Sequence, residues 1–222
     1  MNQVSDPWSD SPLEVERVAY SRRHLIAKRL LDLLVVFILL IVISPLWLLI
    51  VLWIRLDSPG PAIFRQRRIG LGGKLYTIYK FRTMIQNADE LIKTRLEGIQ
   101  DLDSFVFQEK DDPRITRSGS FLRKTSFDEL PQLLNILLGN MSLVGPRPEV
   151  PEIAKLYTPQ QAQRLAVPPG VTGLAQINGR SELALGQVMI YDLEYVRRWS
   201  FWLDIWILWK TFFVVITGKG AY

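Results

Sequence analysis

The sequence predicts an α+β protein that is mainly helical, with one membrane helix ahead of a small domain that contains a short β element. Three observations carry this prediction. Residues 33–54 form an uncharged apolar run of 22 residues, residues 75–84 are rich in β-branched and aromatic side chains, and residues 130–138 repeat leucine at helical spacing. In addition, residues 199–216 combine tryptophans with two charges, which is typical of an amphipathic helix lying in the membrane interface.

The composition excludes several kinds of chemistry. The 222 residues carry a net charge of +5, no cysteine and one histidine. A chain without cysteine has no disulfide framework, no thiolate nucleophile and no cysteine-ligated metal, and one histidine excludes a two-histidine metal site. Carboxylates, hydroxyls, lysines and arginines must therefore carry any catalysis. The mean hydropathy is +0.11 although 22% of the residues are charged, so apolar and charged residues must be segregated along the chain.

The apolar run at 33–54 is long enough to cross a bilayer, because a helix of that length rises about 33 Å. Pro45, near its middle, removes a backbone donor and crowds the carbonyl of Ile41, which predicts a bend. The Ser44 hydroxyl can return a hydrogen bond to that carbonyl. Both flanks are basic, so the positive-inside rule selects no orientation. The residues alone leave two paths open: a kinked span, and a re-entrant helix with both ends on the cytoplasmic side.

The chain divides into four segments. Residues 1–20 are polar and contain two prolines, which predicts disorder. Residues 21–56 form the membrane segment, with a helix break at Ser44-Pro45, and residues 57–195 form a mixed globular domain. Residues 196–222 are the aromatic C-terminal segment. An interfacial helix is favoured there, and a core helix carrying aromatic residues is the alternative.

Two adjacent carboxylates, Asp128 and Glu129, open the leucine-rich helix. A capping box from Ser126 to Glu129 is one explanation. Pro131 argues against it, because proline is tolerated only in the first helical turn, which places the N-cap at or after Asp128. Capping by Asp128 would still leave Glu129 without a structural task. The functional alternative is an ionised Asp128 that attacks phosphorus, next to a Glu129 that holds Mg²⁺.

Cationic residues accompany the acidic pair and suit a diphosphate ligand. Arg147 is the most specific of them, because Pro146 and Pro148 restrict the backbone on both sides. For the arginines within 65–68, a basic surface that faces anionic lipid is favoured instead. A nucleic-acid partner is not expected, because the net charge is modest and no binding motif is present. The candidate substrate-binding cations are Lys80, Arg82, Arg114, Arg123 and Arg147.

Taken together, these segments resemble the bacterial sugar transferases of the monotopic phosphoglycosyl transferase type. The matching segments run in order from about residue 25 to the end, and jointly they are specific. They are Ser44-Pro45, Lys80-Phe81-Arg82-Thr83-Met84, Asp112-Pro113-Arg114-Ile115-Thr116, residues 123–132, residues 144–149, residues 169–174, Asn178-Gly179-Arg180 and Asp192. The chain is similar to the minimal form of the family, without the additional N-terminal membrane helices of larger members.

The resemblance implies a re-entrant membrane helix with both ends cytoplasmic, at the inner membrane of a bacterium. It implies that Asp128 attacks the β-phosphorus of a UDP-sugar and that UMP leaves. Polyprenyl (undecaprenyl) phosphate then takes the sugar phosphate from the aspartyl intermediate. Glu129 is the implied Mg²⁺ ligand. The implied neighbours of the phosphates and nucleotide are Lys80, Arg123, Arg147 and Asp192.

A non-enzymatic, membrane-anchored module is the alternative to a transferase. It would use its basic face to bind anionic lipid or a partner, and neutralising Asp128 and Glu129 would leave its function intact. Asp192, judged by spacing alone, is a surface acid on a helix. The tryptophan-rich surface also leaves a homodimer open.

Overall fold

The computed structural model describes residues 21–86, 88 and 112–217, and the elements are numbered along these residues. The predicted disorder of residues 1–20 lies outside them. The helices are α1 (Arg22–Asp57), α2 (Arg117–Thr125), α3 (Gln132–Leu137), α4 (Pro151–Ala154), α5 (Pro159–Ala162), α6 (Leu174–Ile177), α7 (Leu185–Arg198) and α8 (Phe201–Thr217). The strands are β1 (Ile63–Ile69), β2 (Leu75–Phe81), β3 (Ser142–Val144) and β4 (Gly170–Thr172). Short 3₁₀ turns lie at Leu71–Gly73, Phe127–Glu129, Gln163–Ala166 and Arg180–Glu182.

Helix α1 has 36 residues, and in the described part of the chain it is the one helix long and apolar enough to cross a membrane. Pro45 lies inside it, so the secondary structure continues where a break at Ser44-Pro45 was predicted. Ser44 Oγ donates a 2.9 Å hydrogen bond to the carbonyl of Ile41, the acceptor that Pro45 leaves free. The predicted hydroxyl contact is confirmed, and it satisfies this carbonyl within a continuous helix. The bend and the re-entrant path stay predictions.

Both ends of α1 contact the same domain. Near its beginning, Lys28 Nζ lies 2.7 Å from Asp204 Oδ2 of α8. At its end, the Asp57 carboxylate accepts a 2.9 Å hydrogen bond from the backbone N–H of Ser118 in α2. Between these contacts, residues 41–45 join none of the three apolar clusters in the described residues. The domain therefore packs against α1 on both sides of residues 41–45 and leaves that stretch uncovered.

Strands β1 and β2 form an antiparallel hairpin in which Ile63 lies opposite Phe81 and Ile69 opposite Leu75. The strand predicted at 75–84 is confirmed over Leu75–Phe81. Strand β1 was not predicted, because its arginines were interpreted only as a basic flank. Alternation explains the strand: Arg65 and Arg67 on one face are exposed, while Phe64, Gln66 and Arg68 on the opposite face are half-buried.

Strands β3 and β4 pair in parallel, with Ser142 opposite Gly170. The pairing brings two Gly/Pro-rich segments side by side, one after β3 and one before β4. A Cβ atom on Gly145 would lie 2.3 Å from the carbonyl oxygen of Pro168, so only glycine allows this approach. The loop that carries Arg147 is consequently packed against a second rigid segment.

Helix α8 has one face in the core and one aromatic face outside it. Asp204 and Ile207 are buried, and the hydroxyls of Thr211 and Thr172 lie 2.7 Å apart. The exposed side chains are Trp202, Trp206, Trp209, Phe212 and Phe213. The helix therefore combines both interpretations of the C-terminal segment, and its place in a membrane interface stays a prediction. The boundary predicted at residue 196 falls within α7, which continues to Arg198.

Candidate active site

Asp128 and Glu129 lie in a 3₁₀ turn between α2 and α3. Ser126 ends α2 in the left-handed conformation, with φ 59°, and the turn follows directly. Pro131 has no N–H to donate, and α3 begins only at Gln132. The helix therefore starts later than the leucine spacing predicted, and Asp128 is not its N-cap. Capping explains neither carboxylate.

The two carboxyl groups of this acidic pair have pKa values shifted in opposite directions. Burial raises the pKa of Asp128 to about 6, and the neighbouring Glu129 carboxylate adds to the rise. Burial also acts to raise the pKa of Glu129, but Arg147 and Lys80 outweigh it and hold that pKa at about 2. At neutral pH both groups are mainly ionised, and Asp128 carries the more basic oxygens. A basic, desolvated carboxylate is a suitable nucleophile.

Glu129 is bound by two cations at one oxygen atom. Arg147 Nη2 lies 2.8 Å from Glu129 Oε1, and Lys80 Nζ lies 3.3 Å from the same oxygen. Burial lowers the pKa of Lys80, while the Glu129 carboxylate opposes that fall. The structure thus brings together two predicted cations and the predicted metal ligand.

Asn135 explains why Lys80 meets the acidic pair. This fully buried side chain accepts a 3.0 Å hydrogen bond from the N–H of Tyr79 and donates one of 2.7 Å to the carbonyl of Thr77. It joins the edge of β2 to α3 and so fixes the strand that carries Lys80. Asn135 was not predicted, because nothing local in the sequence marks an asparagine inside a leucine-rich helix as a strand partner.

Two further guanidinium groups act on the pair. Arg123 Nε donates to Thr83 Oγ1 at 3.0 Å, and burial lowers its pKa against the opposing charge of Asp128. Arg180 donates to Ser126 Oγ at the start of the turn, and its Nη1 has no hydrogen-bond partner among the described residues. Burial lowers the pKa of Arg180, and both carboxylates oppose the fall. Arg180 was not predicted as a site residue and appeared only within a matching segment. Gly179 directly before it, typical of a turn, was the one feature of the sequence that could have pointed to it.

Arg82 and Arg114 lie outside this group, and their predicted role in substrate binding stays a prediction. Arg114 Nη2 pairs with Asp112 Oδ2 at 2.5 Å. Arg82 is buried, and its guanidinium donates to backbone carbonyls at the end of α1, those of Ile54, Ser58 and Pro59. Both guanidinium groups are bound by neighbouring protein atoms, and Arg82 instead joins the end of α1 to the strand β2.

Asp192 is buried, which corrects its interpretation as a surface acid. Its exposed fraction is 1%, and its Oδ2 pairs with Arg164. Arg164 in turn donates to the backbone carbonyl of Arg147 at 2.7 Å. Asp192 therefore reaches the site through Arg164 and the backbone of Arg147.

The assembled site suits a diphosphate. It combines a basic carboxylate, a second carboxylate that stays ionised and several cations that can offset phosphate charge during group transfer. Its residues are Asp128, Glu129, Lys80, Arg123, Arg147 and Arg180.

The acidic pair fits Mg²⁺ in its donor chemistry. Mg²⁺ prefers oxygen ligands and is usually bound through one or two carboxylates together with substrate phosphates. Glu129 is the carboxylate that stays ionised, and Asp128 is its neighbour. Within residues 21–86, 88 and 112–217, no group of three histidine or carboxylate side chains converges. Water and the phosphate oxygens of a substrate would complete the coordination of an ion held there.

Comparison with known proteins identifies the family of this chain. The family described as bacterial sugar transferase matches residues 23–218. The chain belongs to the bacterial sugar transferase family. The match includes α1, both sheets, the acidic pair and α8, so the resemblance inferred from the motifs is confirmed.

Curated members of the family align along nearly the whole chain. The chain is 43% identical over 203 residues to galactosyl transferase CpsE of Streptococcus agalactiae, and 41% identical over 219 residues to undecaprenyl-phosphate galactose phosphotransferase of Salmonella typhimurium. It is 40% identical over 228 residues to UDP-glucose:undecaprenyl-phosphate glucose-1-phosphate transferase of Escherichia coli. These alignments cover 91%, 95% and 97% of this chain but 45%, 44% and 44% of the relatives. The chain thus spans less than half the length of these relatives.

Proposed function

We propose that this protein transfers a sugar-1-phosphate from a UDP-sugar to polyprenyl phosphate, with undecaprenyl phosphate as the acceptor. The observation that carries the proposal is the acidic pair, in which Asp128 has a raised pKa and Glu129 a lowered one among several cations. Family membership and the activities after which two relatives are named support the reaction class.

In the first step of the proposed reaction, a carboxylate oxygen of Asp128 forms a bond to the β-phosphorus of the UDP-sugar. The bond from that phosphorus to the bridging oxygen breaks, and UMP leaves with the electron pair. In the second step, an oxygen of polyprenyl phosphate attacks the same phosphorus. The aspartyl oxygen–phosphorus bond breaks, which returns the carboxylate and yields polyprenyl-diphosphate-sugar.

The other site residues have separate tasks in this mechanism. Arg147 and Lys80 hold Glu129 ionised and, with Arg123 and Arg180, offset the charge of the phosphates. Glu129 would hold Mg²⁺, which supplies further charge compensation at the phosphate oxygens when it is bound. Division into two steps allows one small site to receive a water-soluble donor and a lipid acceptor in turn.

A re-entrant path for α1 is part of the proposal. Lys28 and Asp57 bind the same domain although they are roughly 30 residues apart, a distance of about 45 Å along a straight helix. A helix that crossed the bilayer would have the hydrocarbon core, about 30 Å thick, between its two ends. Contact of both ends with one domain supports entry and return on one side. This arrangement would hold the site at the cytoplasmic face of the bacterial inner membrane.

Release of UMP tests the reaction. Purified protein with Mg²⁺, undecaprenyl phosphate and UDP-glucose or UDP-galactose is expected to release UMP, and without acceptor only a single burst of UMP. The variant Asp128→Asn should lower turnover at least about a thousandfold, because it removes the nucleophile. Glu152→Gln, an exposed carboxylate outside the site, is the matched control. Near-wild-type turnover of Asp128→Asn would show that Asp128 is not the nucleophile.

The same assay separates the transferase from a basic membrane-binding module. Charge reversal of the exposed Arg65 and Arg67 should weaken binding to anionic vesicles and leave UMP release in detergent unchanged. The module would be favoured if the wild type released no UMP from UDP-glucose or UDP-galactose and the charge reversal abolished binding to anionic vesicles.

Cysteine labelling tests the path of α1 independently. The chain has no cysteine, so Ser21→Cys and Pro61→Cys each introduce a unique thiol next to one end of α1. In spheroplasts, a membrane-impermeant maleimide should label neither thiol until the membrane is permeabilised. Labelling of one thiol in intact spheroplasts would exclude the re-entrant path.

A further inference from the structure

The loop at 146–149, which carries Arg147, is held at each of its backbone carbonyls. Prolines on both sides of Arg147 also limit the backbone torsions. The donors are Gly170 N for Pro146 at 2.9 Å, Arg164 Nη2 for Arg147 at 2.7 Å, Arg68 Nη1 for Pro148 at 3.2 Å and Ile69 N for Glu149 at 3.0 Å. The carbonyl of Arg147 itself is thus held by a charged side chain.

That side chain, Arg164, is buried to an unusual degree for an arginine, with an exposed fraction of 2%. Its Nη1 donates to the hydroxyl of Tyr157 at 2.5 Å, and its Nη2 is shared between the carbonyl of Arg147 and the carboxylate of Asp192. A buried ion pair is weak evidence for stability, because apolar residues of the same size often stabilise a core as well or better. Stability therefore does not explain the buried charge of Arg164, and the explanation must lie in the groups that it binds.

Arg147 is held at both of its ends. Its carbonyl accepts from Arg164, and its guanidinium lies 2.8 Å from Glu129. Pro148 restricts the torsion between the Cα and the carbonyl of Arg147, so the direction of the carbonyl is coupled to the direction in which the side chain leaves the loop. A donor that fixes the carbonyl also fixes where the guanidinium meets the acidic pair.

We propose that Arg164 is a positioning residue, which holds the backbone of Arg147 so that its guanidinium meets Glu129, and that Asp192 is the buried counter-charge that keeps Arg164 in place. The inference rests on the proposed function for its activity measurement. In this role Arg164 and Asp192 act through the backbone of Arg147 and do not contact the substrate.

A double-mutant cycle tests this role. Arg164→Lys keeps the positive charge beside Asp192 but loses the planar fork that reaches several acceptors at once. It should lower kcat/KM for UMP release about tenfold or more in the wild-type background. In an Arg147→Ala background the same change should lower it less than about twofold, because Arg147 is the residue through which Arg164 acts. Equal losses in the two backgrounds would overturn the proposal.

A matched control is available in Arg82, another buried arginine that donates to backbone carbonyls. It binds the end of α1 and not the loop at 146–149, so Arg82→Lys should have the same effect in both backgrounds. If Arg164→Lys does not fold, the double variant Arg164→Gln/Asp192→Asn removes both charges together and takes its place in the cycle. It should show the same dependence on Arg147, and independence from Arg147 would overturn the proposal.

Hydrogen–deuterium exchange tests the inference without any substrate. In Arg164→Lys, the amides of Gly145 and Gly170, whose hydrogen bonds join this loop to β4, should exchange about tenfold faster, while those of β2 stay at the wild-type rate. Unchanged exchange at Gly145 and Gly170 would overturn the positioning role whatever the activity. Failure of the wild type to release UMP would instead contradict the proposed function and leave the exchange result standing.

Discussion

Two buried acid–cation clusters in this molecule differ in how completely their charges are satisfied. In the anchor cluster, made of Lys28, Asp204, Tyr195 and Trp199, the Asp204 carboxylate pairs with the Lys28 ammonium group, and the buried Asp32 carboxylate acts on both from nearby. Asp204 Oδ2 accepts from Lys28 at 2.7 Å and from the Trp199 indole at 3.1 Å, and its Oδ1 accepts from the Tyr195 hydroxyl at 2.7 Å. Both oxygens of its carboxylate therefore have protein partners.

The acidic pair is arranged differently. Two carboxylates are adjacent in the chain, one Glu129 oxygen is shared by Arg147 and Lys80, and Asp128 is left with a pKa raised to about 6. A satisfied polar network rigidifies a fold, whereas opposed pKa values in neighbouring acids are typical of catalytic sites. The comparison indicates that the anchor cluster stabilises the protein and that the acidic pair performs the chemistry.

The largest expected effect separates the clusters by stability. Asp204→Asn leaves the Lys28 ammonium buried without its anion and should lower the free energy of unfolding by about 3–5 kcal/mol. Asp128→Asn should leave the melting temperature unchanged or raise it, because burial and Glu129 disfavour the charged form of Asp128. Thermal unfolding in one detergent measures both variants. Equal losses of stability in the two would remove the distinction.

The next effect concerns the metal. Glu129→Gln removes the anion that Arg147 and Lys80 hold, and it should lower UMP release about a hundredfold. It should also shift the Mg²⁺ concentration for half-maximal activity upward, which a titration after chelation would measure. Exposed Glu182 offers the control Glu182→Gln, with an unchanged midpoint. If Glu129→Gln needs the same Mg²⁺ concentration as the wild type for half-maximal activity, Glu129 is not the ligand.

A smaller effect is the dependence of activity on pH. Because Asp128 must be ionised to attack, kcat/KM should be level above pH 6 and fall about tenfold per pH unit below it. The charged groups that act on Asp128 are Glu129, Lys80, Arg123 and Arg147, and Glu129, with its pKa held at about 2, stays ionised across this range.

Asp192 also has a pKa raised to about 6 by burial, so it needs a control. In Asp192→Asn the inflection near pH 6 should persist, since Asp192 has no direct contact with Asp128 among the interactions of the site. Loss of the inflection in this variant would assign it to Asp192 instead.

The smallest effect lies in the membrane helix. Ser44→Ala removes the hydroxyl bonded to the carbonyl of Ile41 and should lower stability by about 1 kcal/mol. Ser44→Thr keeps a hydroxyl and should behave as the wild type in the same unfolding measurement. Equal behaviour of the two variants would show that this hydroxyl has no share in tolerating Pro45.

Local patterns in the sequence predicted the apolar helix α1, the strand β2, the acidic pair and the importance of Arg147. Those features depend on periodicity or on immediate neighbours in the chain. Strands β3 and β4 were missed, because three residues are too few to show an alternation. Their pairing depends on contacts between residues far apart in the sequence.

The sequence did not predict which cations lie beside the acidic pair. Arg82 and Arg123 are equally basic in the sequence, but Arg82 is bound to the end of α1 and Arg123 lies beside Asp128. The parts played by Asn135, Arg164 and Arg180 also depend on distant partners. Charge in the sequence identifies the residues that could bind a diphosphate, but tertiary contacts decide which of them lie at the site.

Attachment of α1 at both ends has a consequence for preparing the protein. Val36 belongs to the largest apolar cluster, and Ile50 and Ile54 belong to another with Phe81 and Leu122. A chain shortened to begin after α1 would lose these side chains from two clusters and uncover their partners. We therefore expect a fragment that lacks α1 to lose the native packing of both clusters, so preparations of the folded domain need to retain this helix.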